Sequence, residues 1–556
     1  MTLALSHRRI GVLLLFFGLL LALGLARALQ LTTVDSAHLS SLAEAEHAAT
    51  IVVPAARGNI VDRNGTILAT TEPASDVSAT PALVRDQGAF AAELAPILGV
   101  SPGVIEEKLA HPTSGPGYTL IARHVPAAIV ARVKALKLPG VAFAADPRRV
   151  YPDGAMAAQV LGGVSQSGGP IGGVELEENA ALAGTAGVQH AVFDAHGTAI
   201  AAHGTTPVGG RTVQLTIDAA IQEEAENVLK ATALEFRPLH ESVIVMDPQT
   251  SAILADANWP RINANDIGVS TNYATQFNYE PGSTFKIVAI GGALAEGLIT
   301  PSTHFTIPDS YHVSDRIIHD SEYHPTETLS VAQILAHSSN IGAVKIGQDL
   351  LASGPPGSNQ MYDWIRRYGF GSPTGVDLPG ESYGLVPPPQ NWSGSSIGNL
   401  PIGQGESVTP LQMATAYAAI ANGGILRPPH VIANVGGVPT AEPAGHRIFS
   451  THVAHELAGM LEGVLGPSGT ASEISIPGYQ LAGKTGTANK VVNGTYSNTD
   501  YFASFVGFAP ASDPKLEAIV LVDQPSNGFV YGTEVAAPAW EQIMNFALNY
   551  LKIPPS

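Results

Sequence analysis

A run of 17 residues from Ile10 to Ala26 carries no charge and is almost wholly apolar, and it limits the fold more than any other stretch of the chain. In hydrocarbon every backbone N–H and C=O must be paired within the segment, so a single run of this kind crosses a bilayer only as a helix. Arg27 can reach the interface with its charged end, which extends the span to Leu31 and makes 10–31 a transmembrane anchor. His7, Arg8 and Arg9 precede it, so the tail 1–9 is expected in the cytoplasm and everything beyond Leu31 outside. Ala26-Arg27-Ala28 offers the small residues of a cleavage site, but the apolar run exceeds the ~7–15 residues of a signal-peptide core, and an uncleaved anchor is expected.

The remaining length is ample for several folded units, about three or four by the usual domain size, and 45% hydrophobic residues supply their cores. There is no cysteine, which removes disulfides, thiolate metal sites and a cysteine nucleophile together. A net charge of −19, from 47 acidic against 28 basic residues, argues against nucleic acid as a partner. Residues 32 to about 52 read as a short helical stalk, with Leu39, Leu42 and Ala-rich spacing. From Pro54 to about Gly210 short strand-like runs such as Asn59-Ile60-Val61 and Gly187 to Phe193 alternate with helical patches and glycine-rich turns. Beyond Gly209-Gly210 the spacing predicts a strand at Thr212 to Thr216 and a helix capped by Asp218. It then predicts a hairpin around Asp247 to Ser251, strands at Phe502 to Phe508 and Leu516 to Val522, and a helix from Pro538 to Leu551.

Three short motifs stand in order in this last part: Ser283-Thr284-Phe285-Lys286, Ser338-Ser339-Asn340 and Lys484-Thr485-Gly486, separated by 55 and 146 residues. The first follows the turn Glu280-Pro281-Gly282 and opens an apolar stretch that reads as a buried helix, which puts Ser283 at a helix start and Lys286 on the same face. A hydroxyl beside an amine that can take its proton is the beginning of serine acyl transfer. Singly the motifs are weak. Ser512 to Lys515 is a second S-x-x-K, with a proline inside, and Ser270-Thr271-Asn272 is a second S-x-N; only K-T-G is unique.

The ordered set resembles that of the penicillin-binding proteins and class A β-lactamases. The chain is most similar to the class B penicillin-binding proteins, the monofunctional peptidoglycan D,D-transpeptidases, and within them to the septal, cell-division branch. The resemblance covers nearly the whole chain. It extends through Arg57 to Gly65, Arg149-Val150-Tyr151-Pro152, Gly173-Val174-Glu175, Glu280 to Ser283, Gly403-Gln404-Gly405, Thr409 to Gln412 and Ala536-Ala537-Pro538. The family often has Arg where Tyr273 stands and Asp where Ser339 stands. What the resemblance implies is an α+β chain: the anchor, an elongated mixed pedestal of the dimerisation type over 32–210, and a transpeptidase domain over 211–556. That last domain is an antiparallel sheet flanked by helices together with an all-helical lobe. In the pedestal Arg57, Asp62, Arg63 and Glu175 are expected as structural ion-pair residues.

The family's chemistry carries over residue by residue. Ser283 would be the nucleophile and Lys286 its general base, neutral because burial and the positive charge of Lys484 lower its pKa together. Ser338 would relay protons, and Asn340 would hydrogen-bond a peptide amide of the substrate. The backbone N–H groups of Ser283 and Thr487 would face the oxyanion. Lys484, Thr485 and Thr487 would face the substrate carboxylate, with Gly486 allowing a close backbone approach. The implied partners are D-Ala-D-Ala stem peptides with an amine acceptor, β-lactams as inhibitors, other division proteins, and a membrane glycosyltransferase of the SEDS type. No metal or organic cofactor is implied. A D,D-carboxypeptidase and a non-catalytic penicillin-binding scaffold or sensor are the alternatives.

Three further patterns compete. Gly478 to Thr485 spells a Walker A loop, but Tyr479, Gln480 and Leu481 crowd a loop that should bare its N–H groups, and Gly486 stands where a helix should begin. Gly394 to Gly398 matches a G-x-S-x-G elbow with no strand before it. His312, His319, Asp320, Glu322 and His324 fit no metal-ligand spacing, and a polar surface loop is expected there.

Overall fold

A computed structural model describes residues 2–38, 48–112, 115, 117–193, 199–266, 271–355 and 359–556. Its chain forms two compact units, one from 1–56, 73–147 and 184–209 and a larger one from 57–72, 148–183 and 210–556.

The smaller unit begins with the helix Thr2–Leu29, which continues as a short π-helical turn, Gln30–Val34. The stretch from Arg8 to Val34 is long and apolar enough to cross a membrane, and no part of its most apolar window is buried against protein. Residues 39–47 of the expected stalk lie outside the described residues. The end of that stalk is not helical. Ala48–Val53 is a strand paired antiparallel with Gly187–Phe193, which pairs in turn with Ala199–Gly204. Alanine spacing suggested a helix there, and a partner strand far along the chain supplied ladder bonds that the local sequence does not reveal. A second three-stranded antiparallel sheet joins Thr119–Pro126, Ala74–Ala79 and Val141–Ala145. Phe90 and Leu94 of helix Gln87–Leu98, Ile105 and Leu109 of helix Pro102–Ala110, and Val133 of helix Ala127–Ala135 share a core with Ile121 of that sheet.

The larger unit is built on a five-stranded antiparallel sheet in the order Ala252–Trp259, His240–Asp247, Leu516–Asp523, Thr495–Ala509, Ala482–Val492. The central strand Leu516–Asp523 is buried along its whole length, as a strand covered on both faces must be. Helices Ala219–Phe236 and Gly532–Tyr550 share one core with this sheet through Leu229, Phe505, Trp540 and Ile543. Asp218 caps the first of them, as expected, accepting from the Ala220 N–H. Gly532–Tyr550 begins before the predicted Pro538, which sits inside it. Its first N–H, that of Gly532, is donated to the Thr487 hydroxyl at 3.0 Å, so the start is fixed by a contact rather than by proline. The other core holds a helical lobe, including Lys286–Ala295, Val331–Ala336, Asn340–Ala352 and Thr451–Leu465, against helix Pro410–Ala421.

Segments 57–72 and 148–150 join this unit through a six-stranded sheet that runs from Val438–Pro439 to Arg148–Val150. Next to it Glu175 takes the guanidinium groups of Arg57 and Arg149, the latter at 2.6 Å, with the Tyr151 hydroxyl donating at 3.1 Å. Asp62 and Arg63 depart from the expectation, because neither enters an ion pair among the described residues. The Asp62 carboxylate instead accepts from the backbone N–H groups of Asn64, Thr66 and Ala219.

Candidate active site

Gly282 has φ +57°, and a Cβ there would stand 3.1 Å from the Ala488 Cβ and 3.2 Å from the Thr487 carbonyl oxygen. Gly486, across the same gap, would place a Cβ 2.3 Å from the Ser504 hydroxyl and 3.1 Å from the Pro281 carbonyl oxygen. Only glycine at both positions lets the edge strand Ala482–Val492 lie this close to the turn that carries Ser283. The turn is held from its other side by the Gly282 N–H, which donates to the Gly403 carbonyl at 3.0 Å.

Ser283 lies in a 3₁₀ turn, Gly282–Phe285, that runs straight into helix Lys286–Ala295. The i,i+3 relation holds: Lys286 Nζ stands 2.8 Å from Ser283 Oγ. The same nitrogen is 2.6 Å from the Ser338 carbonyl oxygen, 3.0 Å from Ser338 Oγ and 2.8 Å from Asn340 Oδ1. Ser283 is part-exposed, whereas Lys286 is fully buried. Ser338 sits at φ +60°, a left-handed conformation that a non-glycine residue adopts only when its surroundings hold it there. What holds it is the helix start that follows: Ser339 caps Asn340–Ala352 by accepting from the Gly342 N–H.

Burial pushes Lys286 down to about 7, with the charge of Asp320 acting in the opposite direction. Lys484 is also fully buried and is lowered well below its ordinary value, by burial first and by the charge of Lys286 second. This reverses the expected direction of influence. The charge that acts on Lys286 is that of Asp320, and it is Lys286 that acts on Lys484.

Neutral Lys286 has two N–H donors and one lone pair. The Ser338 carbonyl and Asn340 Oδ1 can only accept, and Asn340 is held in that orientation because its Nδ2 donates to the His319 carbonyl at 2.9 Å. Those two oxygens take the two N–H groups, which turns the lone pair toward the hydroxyls of Ser283 and Ser338. Serine proton abstraction requires that arrangement.

A family model for the penicillin binding protein transpeptidase domain matches residues 241–545, and one for the penicillin-binding protein dimerisation domain matches 52–215. The penicillin-binding protein PbpB of Mycobacterium tuberculosis is 33% identical, over 97% of this chain and 84% of its own. The chain is a class B penicillin-binding protein, of the septal branch. The peptidoglycan D,D-transpeptidase FtsI of Escherichia coli is 32% identical over 90% of this chain and 85% of its own. The crystal structure of penicillin binding protein 3 from Mycobacterium tuberculosis complexed with aztreonam superposes with a TM-score of 0.69 at 29% identity, covering 91% of this chain and 98% of that one.

In this penicillin-binding protein the K-T-G residues lie on the edge strand, not at a helix start, so the Walker A spelling of Gly478 to Thr485 does not form a phosphate loop. Lys484 Nζ donates to the carbonyl oxygen of Thr485 at 3.1 Å and to its hydroxyl at 3.3 Å. The Thr485 hydroxyl pairs with that of Thr470 at 3.2 Å. Thr487 is part-exposed beside the Ser283 turn. Ser512 is remote in sequence and chemistry, in the turn after Thr495–Ala509, where Lys515 pairs with Asp513. Of the second S-x-N, Ser270 lies outside the described residues, and Asn272 caps a short helix and donates to Asp256.

Sequence reasoning missed Asp320. The sequence pattern places it in a polar surface loop, yet its carboxylate accepts from Ser339 Oγ at 2.8 Å and from the N–H groups of Asn340 and Ile341 at 2.5 and 2.9 Å. No local pattern reports such a bond, because the partners lie 19 to 21 residues further on.

Proposed function

We propose that this penicillin-binding protein cross-links peptidoglycan stem peptides through an acyl-enzyme on Ser283, in septal wall synthesis. The observation that carries the reading is the convergence of Ser283, Ser338 and Asn340 on the buried Lys286 amine, beside a K-T-G edge strand. Ser283 Oγ attacks the penultimate D-Ala carbonyl as its proton passes to Lys286. The oxyanion is met by the backbone N–H groups of Ser283 and Thr487. Ser338 returns the proton to the departing D-Ala nitrogen, and an amine from a neighbouring stem peptide then displaces Ser283 from the ester. Asn340 aligns the donor peptide. Lys484, Thr485 and Thr487 face the substrate carboxylate. β-Lactams enter the same path, since ring opening forms the ester but leaves no departing group to make room for the acceptor.

In this reading 1–9 lies in the cytoplasm, 10–31 spans the inner membrane, 32–210 is the pedestal and 211–556 the extracytoplasmic transpeptidase. A separate SEDS-type glycosyltransferase and other division proteins act alongside it. A labelled β-lactam should give one long-lived adduct whose peptide map places it on Ser283 and which vanishes in Ser283→Ala. An adduct on Ser338, Ser396 or Ser512 would sink the assignment. A periplasm-active reporter joined after residue 40 should be active; activity of a cytoplasm-active reporter there instead reverses the topology.

A further inference from the structure

Asp320 lies outside the three motifs, between strands Arg316–Ile318 and Glu327–Ser330, and the S-x-N turn is tied to its carboxylate. Oδ1 accepts from the N–H groups of Asn340 and Ile341, and Oδ2 accepts from the Ser339 hydroxyl and from His324 Nε2 at 3.1 Å. The other ring nitrogen of His324, Nδ1, is 2.9 Å from the Pro325 carbonyl oxygen and 3.5 Å from Glu327 Oε1. A carboxylate and a carbonyl oxygen only accept, so this setting favours the doubly protonated ring of His324. The same neighbours hold its pKa above the ordinary histidine value, the Pro325 carbonyl most of all, then Asp320 and Glu327, against burial. Around Lys286, among the described residues, the titratable groups are Asp320 and the buried Lys484. His319 contributes its carbonyl oxygen to Asn340, and its ring faces the Asp309 carbonyl at 3.3 Å.

We propose that Asp320, clamped by His324, is a positioning residue for acylation: it fixes the turn that aims Ser338 and Asn340 at Lys286, and it sets behind that lysine a carboxylate whose charge His324 shares. Neither residue touches the substrate. The proposal rests on the reading of Lys286 as the base. It differs from a purely structural role in one respect: the pair acts on Lys286 electrostatically, with opposite signs.

The test is the rate of penicillin acylation of the full-length protein as a function of pH. In Asp320→Asn one oxygen still accepts from the two backbone N–H groups, but the amide nitrogen cannot accept from Ser339 or His324, and the charge is gone. The plateau rate should fall about tenfold to a hundredfold as the turn loosens. The acid limb should move to lower pH, because the Lys286 ammonium has lost its stabilising carboxylate. In His324→Gln the amide still donates to Asp320 but without charge. The full carboxylate then acts on Lys286, the limb should move to higher pH, and the plateau should fall by less than about tenfold.

Limbs that stay in place, or move in the same direction, in variants that melt like the wild type overturn the proposal. If Asp320→Asn does not fold, the direction of the limb in His324→Gln decides alone. Lys286→Met separates this failure from failure of the reading beneath it. Acylation of Lys286→Met at the wild-type rate means that Lys286 is not the base, whereas loss of acylation there with unmoved limbs in the other two variants overturns the Asp320–His324 proposal alone.

Discussion

Two of the places where the larger unit buries ionisable groups treat charge in opposite ways. Around Glu175, two guanidinium groups that are only 10% and 6% exposed meet one carboxylate that is fully buried. Two of the remaining donors are used as well: Arg57 donates to Asn179 Oδ1 at 2.7 Å and Arg149 to the Gly58 carbonyl at 2.7 Å. Lys286 and Lys484 are two fully buried amines with no carboxylate in direct contact among the described residues. A buried charge that is paired and hydrogen-bonded stays charged and holds segments together. A buried amine offered only neutral oxygens relieves its desolvation by giving up the proton, and becomes a base. The first arrangement ties 57, 149 and 175 into one unit; the second, in the proposed mechanism, prepares Ser283 for attack.

The largest effect that could break this contrast comes from Lys286→Met, which keeps the volume and removes the amine. Acylation by penicillin should fall by at least the ~10²–10⁴ of a positioned general base. The melting temperature should stay level or rise, because an uncompensated buried amine contributes little to stability. Wild-type acylation should climb as the pH rises through about 7, where burial has brought Lys286. A flat profile with unchanged acylation in the methionine variant would show that the lysine is ordinary core.

Glu175→Ala probes the opposite case. It leaves Arg57 and Arg149 buried side by side without their anion, and denaturant unfolding should show a loss of about 3–5 kcal/mol. The folded fraction should still acylate with penicillin at close to the wild-type rate, since Glu175 contacts none of the site residues. A variant as stable as the wild type but slow to acylate would erase the distinction between the two clusters.

How much of this was legible beforehand follows from the range of each interaction. The i,i+3 spacing of Ser283 and Lys286, the Asp218 cap, the hairpin at Asp247 to Ser251 and the apolar strands are local, and the sequence displays them. The S-x-N and K-T-G residues were found by their likeness to a known set, not by physics, and the contacts of Asn340 with Lys286 required the fold. The strand Ala48–Val53, the start of the last helix at Gly532 and the attachment of Asp320 to Ser339 depend on partners distant in sequence. The downward pull on Lys286 and Lys484 depends on burial, which no motif encodes.

The smallest effect tests whether lack of a partner is by itself a mark of chemistry. Glu241, in the strand His240–Asp247, is 1% exposed, and neither carboxyl oxygen has a hydrogen-bond partner. Burial raises its pKa to about 9. It therefore resembles Lys286 in being neutralised by desolvation, but no hydroxyl converges on it and it is no part of the Ser283 site. A carboxyl whose folded pKa stands above its unfolded one binds its proton more tightly in the native state. Its contribution is complete below the unfolded value of 4.5 and is lost as the pH rises to about 9. The loss should amount to no more than ~1.4 kcal/mol per pH unit for one such group. Glu241→Gln stays neutral throughout, so its stability should decline less than that of the wild type between neutral and alkaline pH, with penicillin acylation unchanged. If the substitution slows acylation while leaving the pH dependence of unfolding as it was, then Glu241 belongs to the working site, and neutralisation by burial without convergence would be enough to mark function in this fold.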